Sequence, residues 1–295
     1  PFVLSEVEAP LRRATAAIRL HSGRTDGVVG SSRWPAATLA LLLATLALLR
    51  PVDHDESQYV AATVLTAHGL LPYRDFAYLQ TPLQPFLFAP LAWMAGDWTW
   101  PALRLANAAL GWVAIVATTA AACAAGASRR MAWTAAALFA TCDILLFAVG
   151  TARNDALPAA CLALALWLAM LEQTRCRAAL TGLLLAAAAA AKISYALPAA
   201  AYGILALLDR RRLPASVALG ALPPIALIAT LYALAPAGFL FGVLRFPAQA
   251  PAEWFAYRPW KLSAPGKALD VLKFLALGPA LPAIVTIARR RPAPV

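Results

Sequence analysis

Long apolar runs separated by short clusters of arginine constrain this fold more than any other feature of the chain. The runs cover Trp34–Leu49, Pro101–Gly126, Met131–Val149, Ala156–Leu171, 178–208, Pro214–Leu234 and Ala268–Ala288. Basic clusters punctuate them at Arg129-Arg130, Arg175 to Arg177, Arg210-Arg211-Arg212 and Arg289-Arg290-Arg291. About 20 apolar residues span a bilayer core, where backbone polar groups must be satisfied within the segment. Only 13% of the residues are charged, against roughly 25% in a soluble domain. The expected fold is all-α: a polytopic transmembrane bundle of about eight spans, with interfacial helices in a large first outer loop. The net charge of +11 does not call for nucleic acid, because the basic residues sit in short loops as the positive-inside rule requires.

Charge places the loops. Residues 1–33 carry five arginines and no secretory signal pattern, and read as a cytoplasmic arm. The chain starts at Pro1 rather than Met, as a fragment or a processed product would. Residues 34–288 form the membrane domain, and 289–295 a cytoplasmic tail. The outer loops are then 51–100, 150–155 and 236–267. This topology puts 15 of the 25 basic residues inside, with only 5 of the 14 acidic ones. Within the first loop, Glu56–His68 reads as an amphipathic helix ended by Gly69. Gln84–Ala95, broken by Pro85 and Pro90, reads as an interfacial segment, with a short span as the alternative. The stretch 178–208 has basic residues at both ends and reads as a hairpin of two short helices, with Lys192 at its turn or in a cavity. The four cysteines form no CxxC pair and read as packing residues.

The densest acidic cluster, Asp53-His54-Asp55-Glu56, directly follows the first apolar run. Three carboxylates in four residues can hold a divalent cation or take a proton from an attacking hydroxyl. Each chemical reading has a simpler rival. Asp53 suits a helix N-cap, as does Asp155 before Ala156 and Pro158. Lys192 can snorkel to an interface. Asp143 lies inside an apolar run, which marks either a functional group or an earlier end to that span. His54 reads as a solvated neighbour. Tyr59, Tyr73, Trp93, Trp98 and Trp100 read as interface anchors.

Several motifs in order resemble the GT-C superfamily of membrane glycosyltransferases, in its dolichyl-phosphate-mannose mannosyltransferase and aminoarabinose-transferase branch. They are Asp55-Glu56-Ser57-Gln58-Tyr59, Gly69 to Phe76, Gln80-Thr81-Pro82-Leu83-Gln84-Pro85, Arg104-Leu105-Ala106-Asn107 and Ala152-Arg153-Asn154-Asp155. The likeness covers roughly residues 34–210, and the last third matches in hydropathy alone. It implies a cell-envelope enzyme, multi-pass in the inner (plasma) membrane, with its site facing outward; the Ala/Arg-rich composition suggests a bacterial source with a GC-rich genome. The donor would be a polyprenyl-phosphate sugar, and the acceptor a lipid, glycan or protein. By position, Asp55 is the expected base and Glu56 the second choice, with Asp155 a further candidate catalytic residue. Asp53 and Tyr59 would line the substrate site. The leaving phosphate needs positive charge, for which Lys192, Arg153, Arg74, Arg245 and Arg258 qualify. The alternatives are a transporter or flippase of an amphipathic lipid and a non-catalytic GT-C-like subunit.

Overall fold

The computed structural model describes residues 33–254 and 256–277. The arm at 1–32, the tail at 289–295 and residues 278–288 of the last expected span lie outside them. Among the described residues the chain is helical throughout and contains no strand. Its contacts divide it at Leu42/Leu43, inside helix α1 (Arg33–Leu49). Arg33–Leu42 is a helical stretch of its own unit, and the remaining helices belong to the unit from Leu43 onward.

Two helices form within residues 51–100. Helix α2 (Glu56–Ala67) ends where Gly69 takes φ 84°. The Gly69 N–H bonds the Thr66 carbonyl and the Leu70 N–H bonds the Leu65 carbonyl, a Schellman closure that needs a left-handed residue. Helix α3 (Leu83–Ala95) packs against α2. At 13 residues it reaches only about 20 Å, short of a roughly 30 Å apolar core. A tight turn at Gly96–Trp98 leads into α4 (Thr99–Ala124).

Two helical stretches, Leu83–Ala124 and Pro214–Leu234, are long and apolar enough to cross a membrane. Ala156–Met170 and Ile193–Leu208 are apolar but shorter. The expected span Met131–Val149 is not one helix. It splits into α5 (Arg129–Ala140) and α6 (Asp143–Val149) at Thr141-Cys142. Asp143 therefore opens a helix, a position that acidic residues favour, and the first piece ends early.

Helices α7 (Ala156–Met170), α8 (Arg175–Ala191), α9 (Ala196–Leu208) and α10 (Pro214–Leu234) follow in turn. Ala178 near the start of α8 shares an apolar cluster with Ala206 near the end of α9. The two helices are thus the expected hairpin, turning at Lys192. Leu157 and Cys161 of α7 pack on Ala188 and Ala191 of α8. In consequence the arginine clusters at 175–177 and 210–212 lie at one end of α8. The polar loops 51–82 and 150–155, with Lys192, lie at the other. Helix α11 (Pro236–Leu240), a π-helical turn at Phe241–Arg245, α12 (Phe246–Trp254) and α13 (Ala264–Leu277) complete the described chain.

Glycine sets the closest helix contact. A Cβ on Gly182 of α8 would lie 1.9 Å from the Val217 carbonyl oxygen, and one on Gly220 of α10 would lie 1.8 Å from that of Ala179. The two backbones touch through a reciprocal pair of missing side chains, the small-residue packing that holds helices together where the hydrophobic effect is weak. Gly220→Val is expected to force these helices apart and to cost about 1–3 kcal/mol or more. A melting temperature in detergent equal to that of the parent would show that the contact is not needed.

Candidate functional site

The site is built on one buried ion pair. Glu56, fully buried, accepts from Arg104 Nε at 2.8 Å and from Arg104 Nη2 at 2.6 Å. It also accepts from the Trp100 indole at 2.9 Å and from the backbone N–H groups of Asp53 and Ala152, each at 2.8 Å. Arg104 spends its remaining donors on the carbonyls of Ala47, Arg50 and Pro51. One turn along α4, the Asn107 amide donates to the carbonyls of Thr151 and Arg153, both at 2.7 Å. Residues 104 and 107 share a helix face, so α4 clamps the end of α1, the start of α2 and the 150–155 loop together.

This geometry redirects two expectations. Glu56 cannot reach a substrate, so as second choice of base it is replaced by a structural role. Trp100, expected at the interface, is partly buried and commits its N–H to Glu56. Trp93 and Trp98, by contrast, are about three-quarters exposed.

Asp53 shapes the turn into α2, whose N-cap position falls to Asp55 with no side-chain capping bond. The Asp53 Oδ1 accepts from the Asp55 N–H at 3.1 Å, while Glu56 Oε1 accepts from the Asp53 N–H. Burial works to raise the Asp53 carboxyl, but Arg153 and the Asp55 N–H outweigh it and hold it below its ordinary range. Burial likewise opposes ionisation of Glu56, and Arg104, two backbone N–H groups and Trp100 overcome it.

Beside this frame lies a chain of charges. Arg153 Nη1 contacts Asp53 Oδ1 at 2.9 Å and Asp55 Oδ2 at 2.6 Å, and its Nε lies 3.5 Å from Asp155 Oδ2. Asp155 in turn pairs with Lys192. Asp155 stands at the N-cap position of α7, yet its side chain accepts no bond from that helix; the pair with Lys192 wins over capping. Lys192 does not snorkel away from the site. It is held because α8 stops there: Thr81 Oγ1 donates to the Ala189 carbonyl at 3.0 Å, and Asn154 donates to that of Ala191. Carbonyls at a helix end need such partners. His54 is exposed, 3.3 Å from Asp55 Oδ1.

Tyr59 and Tyr73 are core residues rather than interface anchors, exposed by only 3% and 8%. Tyr59 meets Tyr78 edge-on at 6.5 Å, and Tyr73 meets Phe239 at 5.0 Å. Burial first, and the nearby Asp155 next, push the Tyr59 phenol well above its ordinary range. Gly238 and Gly242 let α11 and the π-helical turn lie directly on the carbonyls of Tyr73 and Tyr78.

The other expected cations stand apart. Arg74 pairs with Asp75 at 2.8 Å on an open cleft of about 290 Å³, lined also by Tyr73, Tyr78, Gly238 and Phe241. Arg245 and Arg258 are exposed and make no ion pair among the described residues. Among those residues no three His, Cys, Asp or Glu side chains converge as metal ligands, and the guanidinium of Arg153 bridges Asp53 and Asp55. Arg104 and Asn107 stand out in the sequence only as parts of a motif; an arginine inside an apolar run is the signal of their weight. Asn154, Thr81 and Tyr78 carry no such signal.

Comparison with protein-family models, with curated proteins and with solved structures returns no match.

Removing one partner of a buried pair leaves an uncompensated charge and costs about 3–5 kcal/mol. Glu56→Ala and Arg104→Ala should each lower the melting temperature sharply. The double variant should lose less than the two losses combined; full additivity would argue against a shared pair. Both Asp53 and Glu56 titrate below their ordinary values, so the stability they contribute is complete above the ordinary carboxylate range. It is lost as pH falls through the lowered values. A melting curve against pH should therefore drop on the acid side, and more gently in Glu56→Gln.

Proposed function

We propose that the chain is an integral, multi-pass membrane glycosyltransferase of GT-C type, with about eight spans and its site at the outer face of an inner membrane. It transfers a sugar from a polyprenyl phosphate to a lipid, glycan or protein hydroxyl. The observation that carries this reading is the contrast between adjacent carboxylates. Glu56 is sealed, while Asp55 is one-third exposed, with Arg153 on its Oδ2 and the exposed His54 beside its Oδ1. Asp55 is thus the most exposed carboxylate of the cluster, and the one placed to meet a hydroxyl.

In this mechanism Asp55 accepts the acceptor's proton as its oxygen attacks the anomeric carbon. The bond from that carbon to the phosphate oxygen breaks on the opposite face, with inversion. The leaving phosphate is already anionic, so it needs fixed positive charge rather than an acid. Lys192 and Arg153 supply that charge, and Asp155 positions both. Asp53 keeps Arg153 beside Asp55, and Tyr59 forms the floor.

Asp55→Asn should reduce release of polyprenyl phosphate from a polyprenyl-phosphate sugar by about a hundredfold or more, with the melting temperature of the parent. Full activity in that variant would remove Asp55 as the base. A lipid transporter would move the same donor without cleaving it, so the assay separates that reading too.

A further inference from the structure

The cleft of about 290 Å³ between residues 73–78 and the π-helical turn shares no lining residue with the chain of charges from Asp53 to Lys192. Its volume lies at the small end of the range of about 300–1,000 Å³ that ligand pockets occupy, which leaves room for one small ring. The backbone is bent to form it. Tyr73 takes φ 69°, a conformation that bulky residues avoid. Its N–H donates to the Phe76 carbonyl at 2.8 Å and its phenol donates to the Gln80 carbonyl. The bend buries the Tyr73 ring on Phe239 and leaves Arg74 and Asp75 exposed at the rim. Across the cleft, Gly238 lies on the Tyr73 carbonyl, where a Cβ would come within 2.5 Å. That approach brings up Phe241, whose ring is 46% exposed and meets Phe246 at 6.1 Å. Phe241 opens the π-helical turn, an irregularity frequent at functional sites.

The rim is polar but carries no net charge. Arg74 Nε donates to Asp75 Oδ1 at 2.9 Å and Arg74 Nη2 to Oδ2 at 2.8 Å, while the Leu71 N–H donates to Oδ2 at 2.8 Å. An exposed pair of this kind adds little stability. It does fix a donor group and an acceptor group side by side, with two of the five guanidinium donors used. Because the two charges cancel, an anion gains little from Arg74 and a cation little from Asp75. A neutral ligand with several hydroxyls matches such a rim, accepting from the remaining Arg74 donors and donating to Asp75. The exposed Phe241 ring adds the apolar half of the match. An aromatic face is electron-rich, and the C–H face of a sugar ring is its natural partner.

We infer that the cleft between Arg74-Asp75 and Phe241 is a binding subsite for a neutral pyranose ring, and that this ring belongs to the acceptor. Its assignment to the acceptor rests on the transferase reading; the sugar binding does not. A donor's phosphate needs uncancelled cations, and this rim has none. Tyr78, which lines the cleft, meets Tyr59 edge-on at 6.5 Å, so one layer of rings separates the cleft from the floor of the charged site. A sugar-bearing acceptor is held here by one ring while its attacking hydroxyl reaches Asp55.

The test titrates the full chain in detergent with methyl mannopyranoside, methyl glucopyranoside and the methyl glycoside of glucuronic acid. Saturation-transfer NMR reads the affinity, and melting temperatures are taken alongside. The parent should bind at least one neutral glycoside, and the charged glucuronoside more weakly. Phe241→Ala should weaken the neutral glycoside by about threefold to tenfold, and Arg74→Ala by about tenfold, each with the melting temperature of the parent. Asp75→Asn leaves Arg74 uncancelled and should reverse the preference toward the glucuronoside, a change that a merely structural role would not produce. Failure of the parent to bind either neutral glycoside would overturn the subsite. So would affinities unchanged in both Phe241→Ala and Arg74→Ala, or a parent that prefers the glucuronoside. Cleavage of a polyprenyl-phosphate sugar is measured separately. Sugar binding that depends on Phe241, in a chain that never cleaves such a donor, would sink the transferase reading and keep the subsite. Cleavage by a chain that binds no glycoside would keep the transferase reading and overturn the subsite.

Discussion

Everything at the polar end of this protein leans on the pair between Glu56 and Arg104. A carboxylate and a guanidinium at this depth are tolerable only when nearly every donor and lone pair is used, and here they are. The partners that satisfy the pair are the end of α1, the first turn of α2, the indole of Trp100 and the backbone of the 150–155 loop. The link from α1 to α2 and the 150–155 loop, about a hundred residues apart, are thereby fixed to one point on α4. The partly buried charges of Asp53, Asp55 and Arg153 inherit their positions from that buried contact.

A second constraint comes from the break between α8 and α9. A helix that stops inside a packed structure leaves carbonyls to be satisfied, and Thr81 and Asn154 satisfy them. The break then holds Lys192 in extended backbone, so that its ammonium meets Asp155 instead of continuing along a helix face. The charges therefore form one chain, from Asp53 and Asp55 through Arg153 and Asp155 to Lys192. It is partly open to solvent, while the groups that position it are sealed.

Some of this was legible in the residues. Gly69 announced the end of α2, and the paired basic clusters around 178–208 announced a hairpin. What misled was local context without depth. Glu56 and Asp55 are neighbours of the same chemistry, and nothing in their order says that one faces Arg104 and the other faces solvent. Tyr59, Tyr73 and Trp100 looked like interface aromatics because composition cannot show which ring is covered. Met131–Val149 looked continuous because a two-residue interruption hardly changes its hydropathy.

By itself the sequence determined the helical class, the order of apolar segments, and the separation of arginine clusters from acidic loops. Those follow from hydropathy and charge, which act over windows of residues and survive without knowledge of contacts. Only the tertiary structure decided which carboxylate is buried and which cation it takes. Those outcomes depend on distances between residues some fifty to a hundred positions apart, such as Glu56 with Arg104 and Asp53 with Arg153. The strength of such a pair is set by burial and geometry, which no local pattern encodes.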